Sequence, residues 1–68
     1  MDDVSKLTTA KEILETALHK EEAAYRFYDA VMNSTKVDFV KDLVSQLREE
    51  EQKHILLIQK KLAAMELG

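Results

Sequence analysis

Apolar residues recur along the chain at alternating steps of three and four, which is the spacing of one face of an amphipathic helix. The pattern covers two stretches and predicts helices at about residues 9–32 and 37–67. Thr9 followed by Glu12 has the spacing of a capping box, which marks the start of the first helix. The interruption between the stretches predicts that Asn33 ends the first helix in the left-handed conformation and that Ser34 or Thr35 caps the second.

Each stretch carries one apolar stripe, which we call its seam. The first seam comprises Ala10, Leu14, Ala17, Glu21, Ala24, Tyr28 and Val31. The second seam comprises Val37, Val40, Val44, Leu47, Glu51, His54, Ile58, Leu62 and Met65. Because the link between the helices is short, they must pack antiparallel, as an αα-hairpin. No alternation of apolar and polar residues supports a strand, so the predicted fold class is all-α, a single two-helix hairpin over residues 1–68.

A hairpin of this size cannot shield its own apolar surface. The chain has 68 residues, and cores below about 70–80 residues rarely supply more than about 3–5 kcal/mol. Further apolar residues widen the stripes beyond a two-helix seam, namely Ile13, Leu18, Phe27, Leu43, Ile55 and Leu57. We therefore expect a homodimer or a higher homo-oligomer, most simply two hairpins that form a four-helix bundle about a twofold axis.

Composition narrows the classes of function. Lys and Arg total 10 against 13 Asp and Glu, and Lys60 and Lys61 are the only adjacent basic pair, so a nucleic-acid partner is not expected. The chain has no cysteine, which excludes disulfides, iron–sulfur clusters and Cys-ligated zinc. The longest aliphatic run, residues 55–58, is far shorter than the ~18 residues that cross a bilayer. Since the sequence also starts with acidic residues, we expect a cytoplasmic protein with no membrane partner.

Three ionisable residues interrupt the seams near mid-length: Glu21 in the first, and Glu51 and His54 in the second. Burying an ionised carboxylate without a partner costs several kcal/mol, and no Lys or Arg of the seams is close enough in sequence to neutralise them. Proton uptake or a water-filled centre would relieve the charge. Alternatively, two copies of the chain would combine four carboxylates and two imidazoles, whose charge two divalent cations would balance. Ala17 and Ala24 leave space for them beside Glu21.

The spacing of these residues is typical of a metal site. Glu51 and His54, at positions i and i+3, share one helix face. A Glu on one helix with Glu-x-x-His on another is the ligand set of di-iron and di-manganese carboxylate bundles. Carboxylate oxygen with imidazole nitrogen suits iron, manganese or zinc better than magnesium or calcium. The candidate metal ligands are therefore Glu21, Glu51 and His54.

Two stretches of the sequence resemble a known family. Residues 21–28, EEAAYRFY, are similar to the E-x-x-A-x-x-[FW]-Y stretch of rubrerythrin-type ferritin-like proteins, and residues 48–54, REEEQKH, are similar to their second-helix E-E-x-x-H stretch. The separation of thirty residues between Glu21 and Glu51 also resembles that in encapsulated ferritins, half-ferritins whose two-helix core completes its metal site by dimerising. The resemblance covers about residues 10–65.

This resemblance implies an oxidoreductase with two iron ions per dimer, or manganese or zinc in their place, that oxidises Fe(II) with dioxygen or peroxide. It implies that Glu21 is a terminal or bridging ligand, Glu51 the bridging ligand and His54 a terminal ligand, so that these residues act in catalysis through the metals. The absence of cysteine removes the rubredoxin module that gives full rubrerythrins an electron-transfer route. The stretch that directs encapsulated ferritins into a shell is also missing from the sequence, so an encapsulin-type shell as a partner is left open.

Other interpretations of the same residues remain open. A seam register shifted by one position would place Glu51 and His54 on the surface, and Glu21 lies beside Lys20 and Glu22, as a solvated residue would. The polar layer could also serve a dimerisation or adaptor module by fixing register and partner choice, without redox activity. A redox-silent Zn or Mn bundle is the third alternative.

Residues near the candidate ligands are assigned more simply. Tyr28 lies two turns from Glu21 on the same seam, and we expect it to pack there and to supply either a hydrogen bond behind the ligands or a site for radical scavenging. The remaining polar neighbours are expected on the surface, with no role predicted: His19, Glu22, Glu49 and Glu50.

Overall fold

A computed structural model describes residues 9–67 of the chain. Within them the chain forms two helices and no strand, α1 over Ala10–Ser34 and α2 over Asp38–Leu67. Lys11, near the start of α1, pairs with Glu66, near the end of α2, so the helices run antiparallel. The predicted all-α hairpin is confirmed for this range. The other residues of the predicted 1–68 unit, 1–8 and 68, lie outside the described part.

The start of α1 agrees with the capping pattern. Thr9 is extended, with φ −133° and ψ 152°, and its hydroxyl accepts a hydrogen bond from the Glu12 N–H over 3.1 Å. The Thr9 carbonyl accepts the N–H of Ile13 over 3.2 Å, which starts the helical hydrogen-bond series. One of the N–H groups that a helix start leaves unpaired is thereby satisfied by a side chain.

The end of α1 differs from the prediction. Asn33 stays helical, and α1 ends at Ser34, two residues later than expected. The Ser34 hydroxyl donates to the carbonyls of Ala30 and Val31 over 2.9 and 3.3 Å, and the Val31 carbonyl also accepts the Thr35 N–H over 2.9 Å, so the last turn of α1 is held by side-chain and backbone bonds together. No residue between 9 and 67 has a positive φ, so the prediction of a left-handed Asn33 is wrong.

The connection to α2 is also built differently. Thr35 is extended, with φ −79° and ψ 146°, and its hydroxyl accepts the N–H of Val37 over 3.2 Å. This bond closes a local turn in front of the helix. The first backbone hydrogen bonds of α2 are accepted by the Val37 carbonyl. The predicted capping of the second helix by the hydroxyl of Ser34 or Thr35 is therefore wrong.

The interior of the hairpin is small. Val44 and Ile55 are the only buried hydrophobic residues in the described part, at 7% and 8% exposure. Val44 belongs to the second seam, whereas Ile55 was expected outside it. Most other seam residues are partly buried, but Ala10, Val37, His54 and Met65 are exposed. Ala10, Val37 and Met65 lie at the ends of the seams, where fewer residues of the opposite helix remain to cover them, whereas His54 lies near mid-length. The seams thus form most of the contact between the helices, and the core they leave is limited to Val44 and the neighbouring Ile55.

Large apolar side chains also cover one side of the hairpin, at 45–74% exposure. We call this set the exposed apolar face; it comprises Ile13, Phe27, Phe39, Leu43 and Leu57. At ~100° per residue, each lies about 80–120° around its helix from Glu21 or Glu51, in the same rotational sense. In an antiparallel pair this places both helices' sets on one side. The hairpin is 13 Å along its shortest axis, a single layer of helices, and no described element covers this face.

Neither α1 nor α2 contains, within residues 9–67, a stretch that is both long and apolar enough to span a membrane.

Candidate metal centre

The three predicted ligands come together halfway along the hairpin. Glu21 belongs to the middle of α1, and Glu51 and His54 lie one turn apart on α2. The Nδ1 atom of His54 is 3.6 Å from Oε2 of Glu21 and 3.9 Å from Oε2 of Glu51. One ligand atom from each residue lies within 4.8 Å of the other two. Between residues 9 and 67, no other group of three or more His, Asp or Glu residues comes together in this way.

The electrostatics of this site centre on Glu51. Its side chain is 17% exposed, against 30% for Glu21 and 54% for His54. Its Oε2 atom is buried and has no hydrogen-bond partner in the described part of the chain. The separations from His54 are too long for hydrogen bonds. Glu51 therefore lies at the helix interface rather than on the solvent surface, where burial of a carboxylate oxygen without a hydrogen-bond partner is costly.

The donor set and its spacing fit a transition metal. Two carboxylates and an imidazole offer the oxygen and nitrogen ligands that suit iron, manganese or zinc. Bonds of about 2.0–2.2 Å place two ligand atoms at most about 4.4 Å apart. The separations of 3.6 and 3.9 Å already satisfy this limit, and a closure of about 0.4 Å brings the 4.8 Å bound within it.

Small and aromatic residues of α1 border Glu21. Ala17 and Ala24, one turn before it and one turn after it, are partly buried. Tyr28, one turn further, is also partly buried, and its ring packs edge-on against Phe27 with centroids 5.6 Å apart. This contact joins two neighbouring residues of α1, and a role for Tyr28 beside the metal ligands stays a prediction.

A comparison with protein families matches the chain to the model of one family, Rubrerythrin, over residues 12–68. The chain belongs to the rubrerythrin family. No curated protein and no solved structure gave a significant match. The family resemblance drawn from the two sequence motifs is thereby confirmed, and the matched range contains Glu21, Glu51 and His54. Membership of the rubrerythrin family indicates a ferritin-like protein.

A second cross-helix contact in this rubrerythrin-family hairpin was not predicted from the sequence. Nη1 of Arg48 donates a hydrogen bond to Oδ1 of Asp29. The guanidinium carbon of Arg48 also lies 6.0 Å from the ring centroid of Tyr25. Tyr25 and Asp29 are four residues apart on α1 and therefore share a face. The sequence signal for this contact was an aromatic and an acidic residue four positions apart on one helix, with an arginine on the other helix.

The other polar neighbours lie mostly where they were expected. His19, Glu49 and Glu50 are exposed, whereas Glu22 is partly buried.

Proposed function

We propose that two copies of the chain pack into a ferritin-like four-helix bundle and that this homodimer holds a di-iron carboxylate centre that oxidises Fe(II) with dioxygen or peroxide. The observation that carries the proposal is the meeting of Glu21, Glu51 and His54 around a buried carboxylate oxygen that has no partner. Membership of the rubrerythrin family supports the same chemistry.

The exposed apolar face supports the dimer. Its side chains leave about half or more of their surface to solvent in one hairpin, and a second copy of the same face would cover them. His54, 54% exposed, lies about 60° around α2 from Glu51, toward this face. Packing through the face would therefore enclose the candidate centre at the same time.

Charge supports a symmetric pairing. Lys20 and Glu50 are exposed, have opposite charge, and each directly precedes a candidate ligand, Glu21 or Glu51. Both lie about 100° around their helices from that ligand, on the side of the exposed apolar face. A twofold axis parallel to the helices would set α1 of one copy against α2 of the other, so that the side carrying Lys20 faces the side carrying Glu50, twice.

Two copies would complete the ligand set. One hairpin offers two carboxylates and one imidazole, whereas the di-iron bundles use four Glu and two His. Two divalent ions would neutralise the four carboxylates, which corresponds to one iron per chain. A single hairpin that held one ion would give the same ratio, so the solution mass of the iron-loaded protein, not the stoichiometry, separates the two cases.

Each residue has a distinct part in this proposal. Bound iron would supply one-electron chemistry between Fe(II) and dioxygen or peroxide. Glu51, the least exposed of the three, would be the ligand that both ions share, and Glu21 would hold an ion from the opposite helix. His54 offers Nδ1, the ring nitrogen that faces both carboxylates. Val44 and Ile55, buried on either side along α2, limit the access of water.

The test is anaerobic titration of the full chain with Fe(II), followed by oxygen. We expect saturation at one iron per chain, then ferric absorbance. Glu51→Ala should abolish both, whereas Glu49→Ala, which removes an exposed carboxylate of the same helix, should keep both. A Glu51→Ala variant that retains stoichiometry and oxidation would end the proposal.

The same samples distinguish the alternatives. A redox-silent site would bind Zn(II) or Mn(II) and raise the melting temperature without ferric absorbance after oxygen is added. An adaptor module would show no rise with any of the three metals, because a ligand stabilises only the folded state that it binds.

A further inference from the structure

A polar contact crosses the helix interface one turn from the candidate metal centre. Arg48 lies three residues before Glu51 on α2, and its guanidinium binds Asp29 of α1. The same guanidinium lies 6.0 Å from the ring of Tyr25, which is four residues after Glu21. It is thus held between two residues of the helix that carries Glu21, while it belongs to the helix that carries Glu51. We call Tyr25, Asp29 and Arg48 the arginine clamp.

The arginine clamp is held by a directional hydrogen bond, whereas most of the helix interface consists of apolar contacts. The seams consist mainly of aliphatic side chains, whose association has no preferred direction. The ion pair of Lys11 with Glu66 also joins the helices, but both side chains are more than half exposed and such a pair constrains little. Arg48 and Asp29 are 29% and 43% exposed and are joined by a hydrogen bond.

The arginine clamp can fix the register of the two helices, on which metal binding depends. Glu21 and the pair of Glu51 and His54 lie on different helices, so their separation follows the register of α2 on α1. A shift of one residue along a helix moves a side chain by about 1.5 Å. Metal–ligand distances tolerate only about 0.2 Å. Ala17 and Ala24, the small neighbours of Glu21, offer little resistance to such a shift.

We propose that Arg48 is a positioning residue for the metal centre: held by Asp29 and Tyr25, it fixes the register of the helices so that the ligands of one meet those of the other. This inference rests on the proposed function, since it gives Arg48 a part in ordering that centre. Arginine suits the task because its planar fork binds a carboxylate at the edge while its face lies over an aromatic ring. A lysine would keep the charge and lose this geometry.

The experiment is titration of the full chain with Co(II), whose visible absorption reports its coordination geometry. Arg48→Lys should weaken Co(II) binding about 10–100-fold and change the spectrum, as removal of groups that orient metal ligands does. Asp29→Asn should act in the same direction. Tyr25→Phe keeps the ring and should bind as the wild type does. The matched control is Lys11→Gln, which removes the exposed ion pair and should leave affinity and spectrum unchanged.

A merely stabilising ion pair predicts a different result. Its loss would lower the melting temperature with and without Co(II) by similar amounts and leave the dissociation constant and the spectrum unchanged. That outcome in Arg48→Lys and Asp29→Asn would overturn the positioning role of Arg48. It would leave the proposed metal centre standing, because the wild type would still bind Co(II). Circular dichroism establishes whether each variant is folded. If one of the two variants is unfolded, the other is enough for the test.

Failure of the proposed function has its own signature. If the wild type binds neither Co(II) nor Fe(II), register is measured in the metal-free chain from nuclear Overhauser effects between the His54 ring and the Glu21 methylenes. Loss of these effects in Arg48→Lys would support the positioning role of Arg48, and their persistence would overturn it.

Discussion

Replacing Glu51 by methionine separates what its carboxylate costs from what it does. The side chain is 17% exposed, and Oε2 is buried without a partner in the described residues. A buried acceptor of this kind destabilises a fold by about 1–3 kcal/mol, and more when charged. Methionine has a similar length and adapts to irregular space, so it can fill the site. Without metal, Glu51→Met should therefore stabilise the fold by about 1–3 kcal/mol.

Bound metal should make the wild type more stable than Glu51→Met. For a chain of 68 residues, 1 kcal/mol corresponds to roughly 4–8 °C, so the metal-free variant should melt at least about 4 °C above the wild type. A metal that binds only the folded state, at 1,000 times its Kd, stabilises by about 4.1 kcal/mol. Glu51→Met lacks a ligand and cannot gain this, so with saturating metal the wild type should melt higher.

The assay is thermal unfolding followed by circular dichroism, in chelator and in saturating Zn(II). Protein concentration is held fixed, since the melting temperature of an oligomer depends on it. Glu49→Met is the control, because Glu49 is exposed on the same helix and its loss should matter by less than about 0.5 kcal/mol. A Glu51→Met variant that melts below the wild type in chelator, or that gains as much from Zn(II), refutes the reasoning.

Three further changes test the dimer, the core and the helix start. Phe27→Glu puts a charge on the exposed apolar face and should convert a dimer into monomers in sedimentation equilibrium; an unchanged mass contradicts the proposed interface. Ile55→Ala should lower the free energy of unfolding in urea by about 2–4 kcal/mol, because Ile55 is buried. Leu56→Ala, at an exposed position, should lower it by less than about 1 kcal/mol. Equal losses in the two variants would contradict the burial of Ile55 in the hairpin core. Thr9→Ala should lower the free energy of unfolding by about 1 kcal/mol in the same assay, whereas Thr9→Ser keeps the hydroxyl and should leave it unchanged. Equal stability of the two variants would contradict a role for the cap.

Local spacing accounts for what could be predicted from the sequence. The two helices follow from apolar steps of three and four, and the start at Thr9 follows from the residue three positions later. Glu51 and His54 share a face because they are one turn apart, and Glu21 meets them because a short link forces the helices antiparallel. These inferences depend on contacts within a turn, or on one antiparallel pairing of two long elements.

Features that depend on competing local bonds were harder to predict. Asn33 was expected to end α1 because it tolerates the left-handed conformation, but the hydroxyl of Ser34 reaches back to the carbonyls of α1 and the helix continues. The 54% exposure of His54 could likewise not be predicted from the seam pattern. The pattern indicates that a position faces the other helix, but not how much of its side chain that helix covers.

The arginine clamp shows why register is the missing quantity. Lys11 and Asp29 are eighteen residues apart on α1, and their partners Glu66 and Arg48 are eighteen residues apart on α2, in the opposite direction. Eighteen residues are about five turns, so both contacts lie on the same side of their helices. The candidate centre lies between them, and its ligand distances must follow the same register. Motif spacing predicts which residues could bind a metal; whether they meet depends on contacts such as that of Arg48 with Asp29.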